Sequence, residues 1–317
     1  MRYLLLNLLL IWSMLLGISC RGDGEANEEI SLNSHIQFFG FTLVDTLWDD
    51  PTDTEHNANY KDEVYPFSNI ADILVVDPED YIAHRINAFS DLEMKAILHL
   101  NELFFEIRGT DSPSGTAYGL RIDYQERWNR FVATNTLKEQ RALIGAFYIG
   151  EEPTWNGISF EELEAVSHYV KMQFPDVPIM LIEAAPMLTT LQVPTSVDWL
   201  GFDHYFVQNP LEDNIYQQEW ALLKSKRSAS HQRIVVVMDT HYISEAHGEF
   251  GGIALDEMNE VAQSYYALAQ SEVSVIMVLS YFWPNGFDAP NSIGARGMPS
   301  DVLEEYMRIG KEISGKE

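Results

Sequence analysis

One cysteine, Cys20, stands in the 317 residues, so no internal disulfide forms and no cysteine cluster can hold zinc or an iron–sulfur group. Positive charge is also scarce: 20 Lys and Arg stand against 48 Asp and Glu, a formal net charge of −28. Such a surface repels phosphate backbones and anionic lipid headgroups, which excludes a nucleic-acid partner and direct adhesion to a membrane surface. There is no low-complexity block and no repeat of 20–50 residues. No Gly-rich phosphate loop follows a strand in the form a nucleotide cofactor needs, so no cofactor is expected. What is present is a core-forming composition, 46% hydrophobic and 12% aromatic, long enough for one large domain.

The first twenty residues hold Arg2, the apolar run Leu4 to Trp12, and a small-residue close at Gly17-Ile18-Ser19-Cys20. That is the order of an export signal. With the cysteine at the cleavage position it resembles the lipobox of bacterial lipoproteins, although Gly17 holds the place usually taken by Leu. The resemblance implies lipidation of Cys20 and a cell-envelope location, with secretion as the outcome if Cys20 is not lipidated. Residues 1–20 are read as this signal, 21–34 as a flexible tether rich in Gly, Glu and Asn, and 35–317 as the folded domain. Membrane contact is expected only through the anchor, and the body is expected to be a monomer.

Eight short runs of apolar, β-branched or aromatic residues follow in a regular beat: 36–44, 71–76, 95–103, 145–150, 177–183, 197–205, 233–239 and 273–281. Nearly continuous apolar runs are those of parallel strands covered on both faces. Helical patterns separate them, at 80–93, 123–142, 159–174, 214–226, 254–270 and 301–313. The clearest opens with Ser159-Phe160-Glu161-Glu162, a capping box, and stops before Pro175. Eight alternations predict an α/β fold, a single (β/α)₈ TIM barrel, rather than an open doubly wound sheet. The strand-to-helix connections 45–65, 106–122, 241–252 and 284–299 are long, and in this fold they build the active face.

The fourth run ends Tyr148-Ile149-Gly150-Glu151-Glu152-Pro153. With bulky Phe147 and Ile149 facing the helices, period-two alternation sends Ala146, Tyr148, Gly150 and Glu152 toward the axis. Here the chain resembles the clan of barrel glycoside hydrolases whose fourth strand ends in Asn-Glu-Pro. The resemblance implies a carbohydrate substrate, a Glu152 acid/base, and Glu151 in place of the Asn that meets the sugar. That clan carries its nucleophile on the seventh strand, where this chain has Asp239. It commonly carries a sugar-stacking Trp on the eighth, where this chain has Trp283.

Glycoside hydrolysis needs two carboxyl groups, and their separation distinguishes retention from inversion. On the sixth run, alternation places Gly201, Asp203 and Tyr205 inside, which makes Asp203 a rival to Asp239. The stereochemistry stays open at this stage. Glu183 and Asp45 complete a ring of acids at one mouth, where like charges raise at least one pKa. His204, Tyr205, His241 and Trp283 supply imidazole and aromatic surface at the same strand ends.

Two other readings share these residues. His204, His241, Asp203, Asp239 and Glu183 could form a metallohydrolase centre, although the first strand has no His-x-His and no ligating lysine is seen. A barrel of this kind could also bind a glycan or a protein without cutting it.

Overall fold

The computed structural model describes residues 35–317, so the candidate signal, Cys20 and the tether lie outside the described residues. Eight parallel strands form the barrel: β1 (Phe38–Phe41), β2 (Ile70–Leu74), β3 (Lys95–His99), β6 (Ile144–Glu151), β7 (Ile179–Ala184), β8 (Trp199–Asp203), β9 (Arg233–Asp239) and β10 (Val275–Tyr281). Their order is β1-β10-β9-β8-β7-β6-β3-β2, and β1 and β2 meet at the closing seam. The seam is stitched partly by side chains. Phe39 N donates to Asn69 Oδ1 at 2.9 Å, and the amides of Leu43 and Val44 donate to the Asp72 carboxylate at 3.0 and 2.9 Å. A backbone bridge between Asp45 and Ile73 completes it. Gly40 permits the approach, since a Cβ there would sit 1.9 Å from Ile70 O.

Alternation along each strand divides the core in two. Ile97, Tyr148, Met180, Ile182, Val235, Val237 and Leu279 fill the barrel axis. Phe41, Phe147, Leu200, Phe202 and Val236 face outward. On that outer side Phe147 meets Trp128 and Phe174 edge-on, at 5.2 Å each. Residues removed from water in this way supply most of the driving force for folding.

The helices α6 (Phe160–Gln173), α7 (Asn214–Ser225), α8 (Met258–Ser271) and α9 (Ser300–Ser314) lie where the periodicity places them. Ser159 caps α6 in the expected capping box with Glu162.

Three segments differ from expectation. The third strand stops at His99, and α3 (Asn101–Phe104) replaces the end of the 95–103 run. The 123–142 pattern is two helices, α4 (Tyr124–Thr134) and α5 (Leu137–Gln140), broken where Thr136 takes φ 48°. The 106–122 connection holds most of an antiparallel hairpin, β4 (Phe105–Gly109) with β5 (Ala117–Leu120). The remaining short helices are α1 (Lys61–Val64) and α2 (Ala83–Ser90).

Candidate active site

The end of β6 departs from simple alternation. Pairing of β6 with β7 shifts register between Tyr148 and Gly150, a bulge that turns the following residues over. Gly150 therefore does not face the axis as alternation predicts: a Cβ there would lie 2.9 Å from Leu181 Cβ and 3.5 Å from Leu163 Cδ1, on the helix side. Glu151 turns inward and lines the axial cavity. Glu152 leaves the strand at φ 41°, held by its amide donating to Ile182 O at 2.7 Å. A non-glycine residue in this left-handed region costs on the order of 1 kcal/mol, offset here by the fixed backbone contact.

From that position the Glu152 carboxyl shares a hydrogen bond with Asp203, the last residue of β8. Burial and the neighbouring charges of Glu151 and Glu183 push Glu152 up to about 7. Burial, and then the charges of Glu152, Glu151 and Glu183, push Asp203 well above the ordinary carboxylate range. Two carboxyl groups in contact cannot readily both ionise, so the pair holds a proton near neutrality and titrates as a unit. In hydrogen-bond contact they lie nearer each other than the ~5–5.5 Å or ~6.5–9.5 Å of working glycosidase pairs.

Asp203 opens onto a cavity at the barrel mouth, lined also by Asp72, His99, Tyr148, Glu151, Tyr205, Tyr281 and Phe287. Ile97, Met180, Ile182, Val237 and Leu279 form its apolar part. His99 Nε2 lies 2.9 Å from Glu151, and its ring packs 4.6 Å from Tyr148. Burial opposes the charge on Glu151, yet the His99 charge and hydrogen bonds from His99 and Tyr148 hold it below its usual range. Burial raises Asp72 to about 6 against the pull of the Val44 and Leu43 amides. Tyr205 and Tyr281 stack at 4.9 Å and 17°, and Tyr281 Oη donates to Asp288 at 2.9 Å.

The other residues singled out in the sequence lie elsewhere. Asp239 is fully buried: His247 Nε2 lies 3.1 Å from its Oδ2, His241 Nδ1 lies 3.0 Å from its Oδ1, and Phe206 N donates to Oδ2 at 2.9 Å. Burial opposes its charge, but the two imidazoles hold its pKa far below the ordinary range. Glu183, buried and raised by that burial, accepts from the amides of Thr154, Trp155 and Ala184 and so clamps the loop that follows Glu152. Asp45 receives Arg85 Nε at 2.7 Å beside the seam. His204 turns to Glu219 at 2.5 Å and stacks on Tyr216. Trp283 is packed among outward-facing residues, 4.9 Å from Phe41, and donates to Glu63 at 2.7 Å, so Tyr281 rather than Trp283 supplies the eighth-strand aromatic wall.

The alternative metal set is dispersed. His204, Asp203 and Glu183 each have the separate partners just given, and among the described residues the His and acid side chains whose ligand atoms gather within 4.8 Å are Asp239, His241 and His247. These three are buried together, and Asp239 also accepts from the Phe206 amide. The acidic first loop is held by arginine: Arg296 reaches Asp50, Asp53 and Glu63.

His247, Asp72, His99, Phe287 and Asp288 were not picked out from sequence. Asp72 had a signal, a lone acid inside an apolar strand, and His99 had another, the C-terminal end of a barrel strand.

No protein-family model matches the chain, and no curated protein matches it. Solved structures do. Xylanase 10B from Thermotoga maritima is 10% identical with a TM-score of 0.54, over 90% of this chain and 98% of that one. A GH113 beta-1,4-mannanase is 14% identical with a TM-score of 0.52, over 86% of this chain and 99% of that one. An alpha-amylase from Anoxybacillus is 10% identical with a TM-score of 0.56, over 89% and 79%. What they share with this chain is the fold. It is a TIM barrel, and these neighbours are glycoside hydrolases.

Proposed function

We propose that this protein is a glycoside hydrolase whose chemistry is carried by the Glu152–Asp203 pair. The observation that carries the reading is the contact of two buried carboxyl groups, Glu152 and Asp203, at the open mouth of a barrel. The protonated member gives its proton to the glycosidic oxygen as the bond to the anomeric carbon breaks. The remaining carboxylate then bonds to that carbon or takes a proton from the attacking water. A substrate entering the cavity parts the two groups, replacing their mutual hydrogen bond with one to the leaving oxygen. The stacked Tyr205 and Tyr281 offer a flat wall to the C–H face of a sugar, and Glu151, held by His99, offers an acceptor to its hydroxyls.

In this reading Asp239 is a support for the strand end, and the nucleophile or base is Asp203. Chain export through the leader and lipidation at Cys20 are part of the same proposal, since an envelope location gives access to external polysaccharide. Radiolabelled fatty-acid incorporation that persists in a Cys20→Ser variant would contradict the anchor.

The test of function is reducing-sugar release from a polysaccharide panel by the wild type beside Glu152→Gln and Asp203→Asn. Each substitution is expected to lower kcat by ~10²–10⁴-fold, the loss typical of a removed acid or base. Asp239→Asn is the control: a loss that tracks protein stability supports its structural role, and a comparable loss of kcat in a fully folded variant reinstates it as the second carboxylate.

A further inference from the structure

The charge of the cavity limits what can enter it. Its lining acids are Asp72, Glu151 and Asp203, with Glu152 hydrogen-bonded to Asp203 and Asp288 bonded to the Tyr281 wall. Among the described residues, no lysine or arginine lines the cavity. The lining cation is His99, and it is already spent on Glu151 at 2.9 Å. Arg85 and Arg296, which serve the loops on this face, are spent on Asp45 and on Asp50, Asp53 and Glu63.

We infer that the sugar taken into this cavity carries no anionic substituent: neutral and amine-bearing glycans enter, and uronate or sulfated ones are rejected. The inference rests on the glycoside hydrolase reading and names the substrate class of that same site. An anionic group placed there meets carboxylates with no free partner cation, and it must also shed its water in a largely apolar well. One such like-charge contact lowers affinity by at least about tenfold, on the scale of charge pairs inside proteins. The net charge of −28 acts in the same direction at longer range, holding polyanionic polymers off the surface. An ammonium is drawn instead, and a neutral ring lies against Tyr205 and Tyr281 without an electrostatic cost.

The experiment uses the whole chain carrying Glu152→Gln, so that binding is read without turnover. It is applied to an array of neutral, amino-sugar, uronate and sulfated oligosaccharides. Each glycan bound is then measured by calorimetry beside its carboxyl-bearing counterpart of the same linkage. The expected result is binding confined to neutral or amine-bearing glycans, with the carboxyl counterpart at least about tenfold weaker. Glu151→Gln, which removes a carboxylate and frees His99, is expected to narrow that ratio. Binding of a uronate or sulfated glycan as tight as its neutral counterpart overturns the inference and leaves the hydrolase reading intact. Binding of no glycan of any charge overturns both.

Discussion

Burial and the neighbouring carboxylates disfavour the ionisation of both Glu152 and Asp203, so the pair costs stability in order to store a proton. For Glu152 the folded value, about 7, lies above the ordinary 4.5. The folded state therefore binds more protons than the unfolded state between those values. Stability from this group is fully present below pH 4.5 and is lost as pH rises through about 7. Thermal unfolding across that interval is expected to show a slope that flattens in Glu152→Gln, and an unchanged slope would contradict the assignment. Activity is expected to fall on the same alkaline side, because the general acid then loses its proton. Asp239 has the opposite sign: its pKa is depressed, so its contribution is present above its ordinary 3.8 and is lost in stronger acid. His247→Ala removes one of its buried partners and should cost ~3 kcal/mol in urea unfolding, the scale of breaking a buried ion pair. A loss below about 0.5 kcal/mol, the scale of a neutral surface change, would show that His241 and the Phe206 amide suffice.

At the scale of elements, the strand ends decide what the site contains. The apolar runs and the capping box at Ser159 were legible because periodicity and local hydrogen bonding report them directly. Ser159→Ala should cost ~1 kcal/mol, measured in the same urea series. Asp203 faces inside as alternation predicts because β8 is regular up to that last residue, and Tyr205, just beyond it, also lines the cavity. The end of β6 departs from alternation because a bulge has no period of its own, and it exchanges the faces of Gly150 and Glu151. Trp283 turns outward for a related reason: it lies past the end of β10, where alternation no longer fixes direction. The partnership of Asp239 with His247 was out of reach, since it depends on how the turn Ser244–Phe250 folds back over the strand end. The β1–β2 seam offers a further test. Gly40→Ala puts a methyl group 1.9 Å from Ile70 O, so the seam must shift. It should cost ~2 kcal/mol or more and lower activity through the displaced Asp72, whereas a neutral effect would show that the seam is not closely packed.

Over the whole molecule, a charge of −28 opposes compaction, and the paired arginines and lysines offset it only locally. Salt screens this self-repulsion, so the melting temperature is expected to rise between low salt and ~0.5 M NaCl. A fall would mean that the local ion pairs outweigh the global field. The barrel brings acids from four of its strands to one mouth, Asp72, Glu151, Glu183 and Asp203 on β2, β6, β7 and β8, with Glu152 just beyond β6. It gives them different work: Glu183 clamps a loop, Asp72 stitches the seam, and Glu152 with Asp203 holds the proton. That division is the central claim, and reducing-sugar release by the wild type, Glu152→Gln and Asp203→Asn, with and without EDTA, tests it most directly. Release that survives EDTA and disappears in both variants is the predicted result. Release that persists in either folded variant, or that EDTA abolishes, would contradict it.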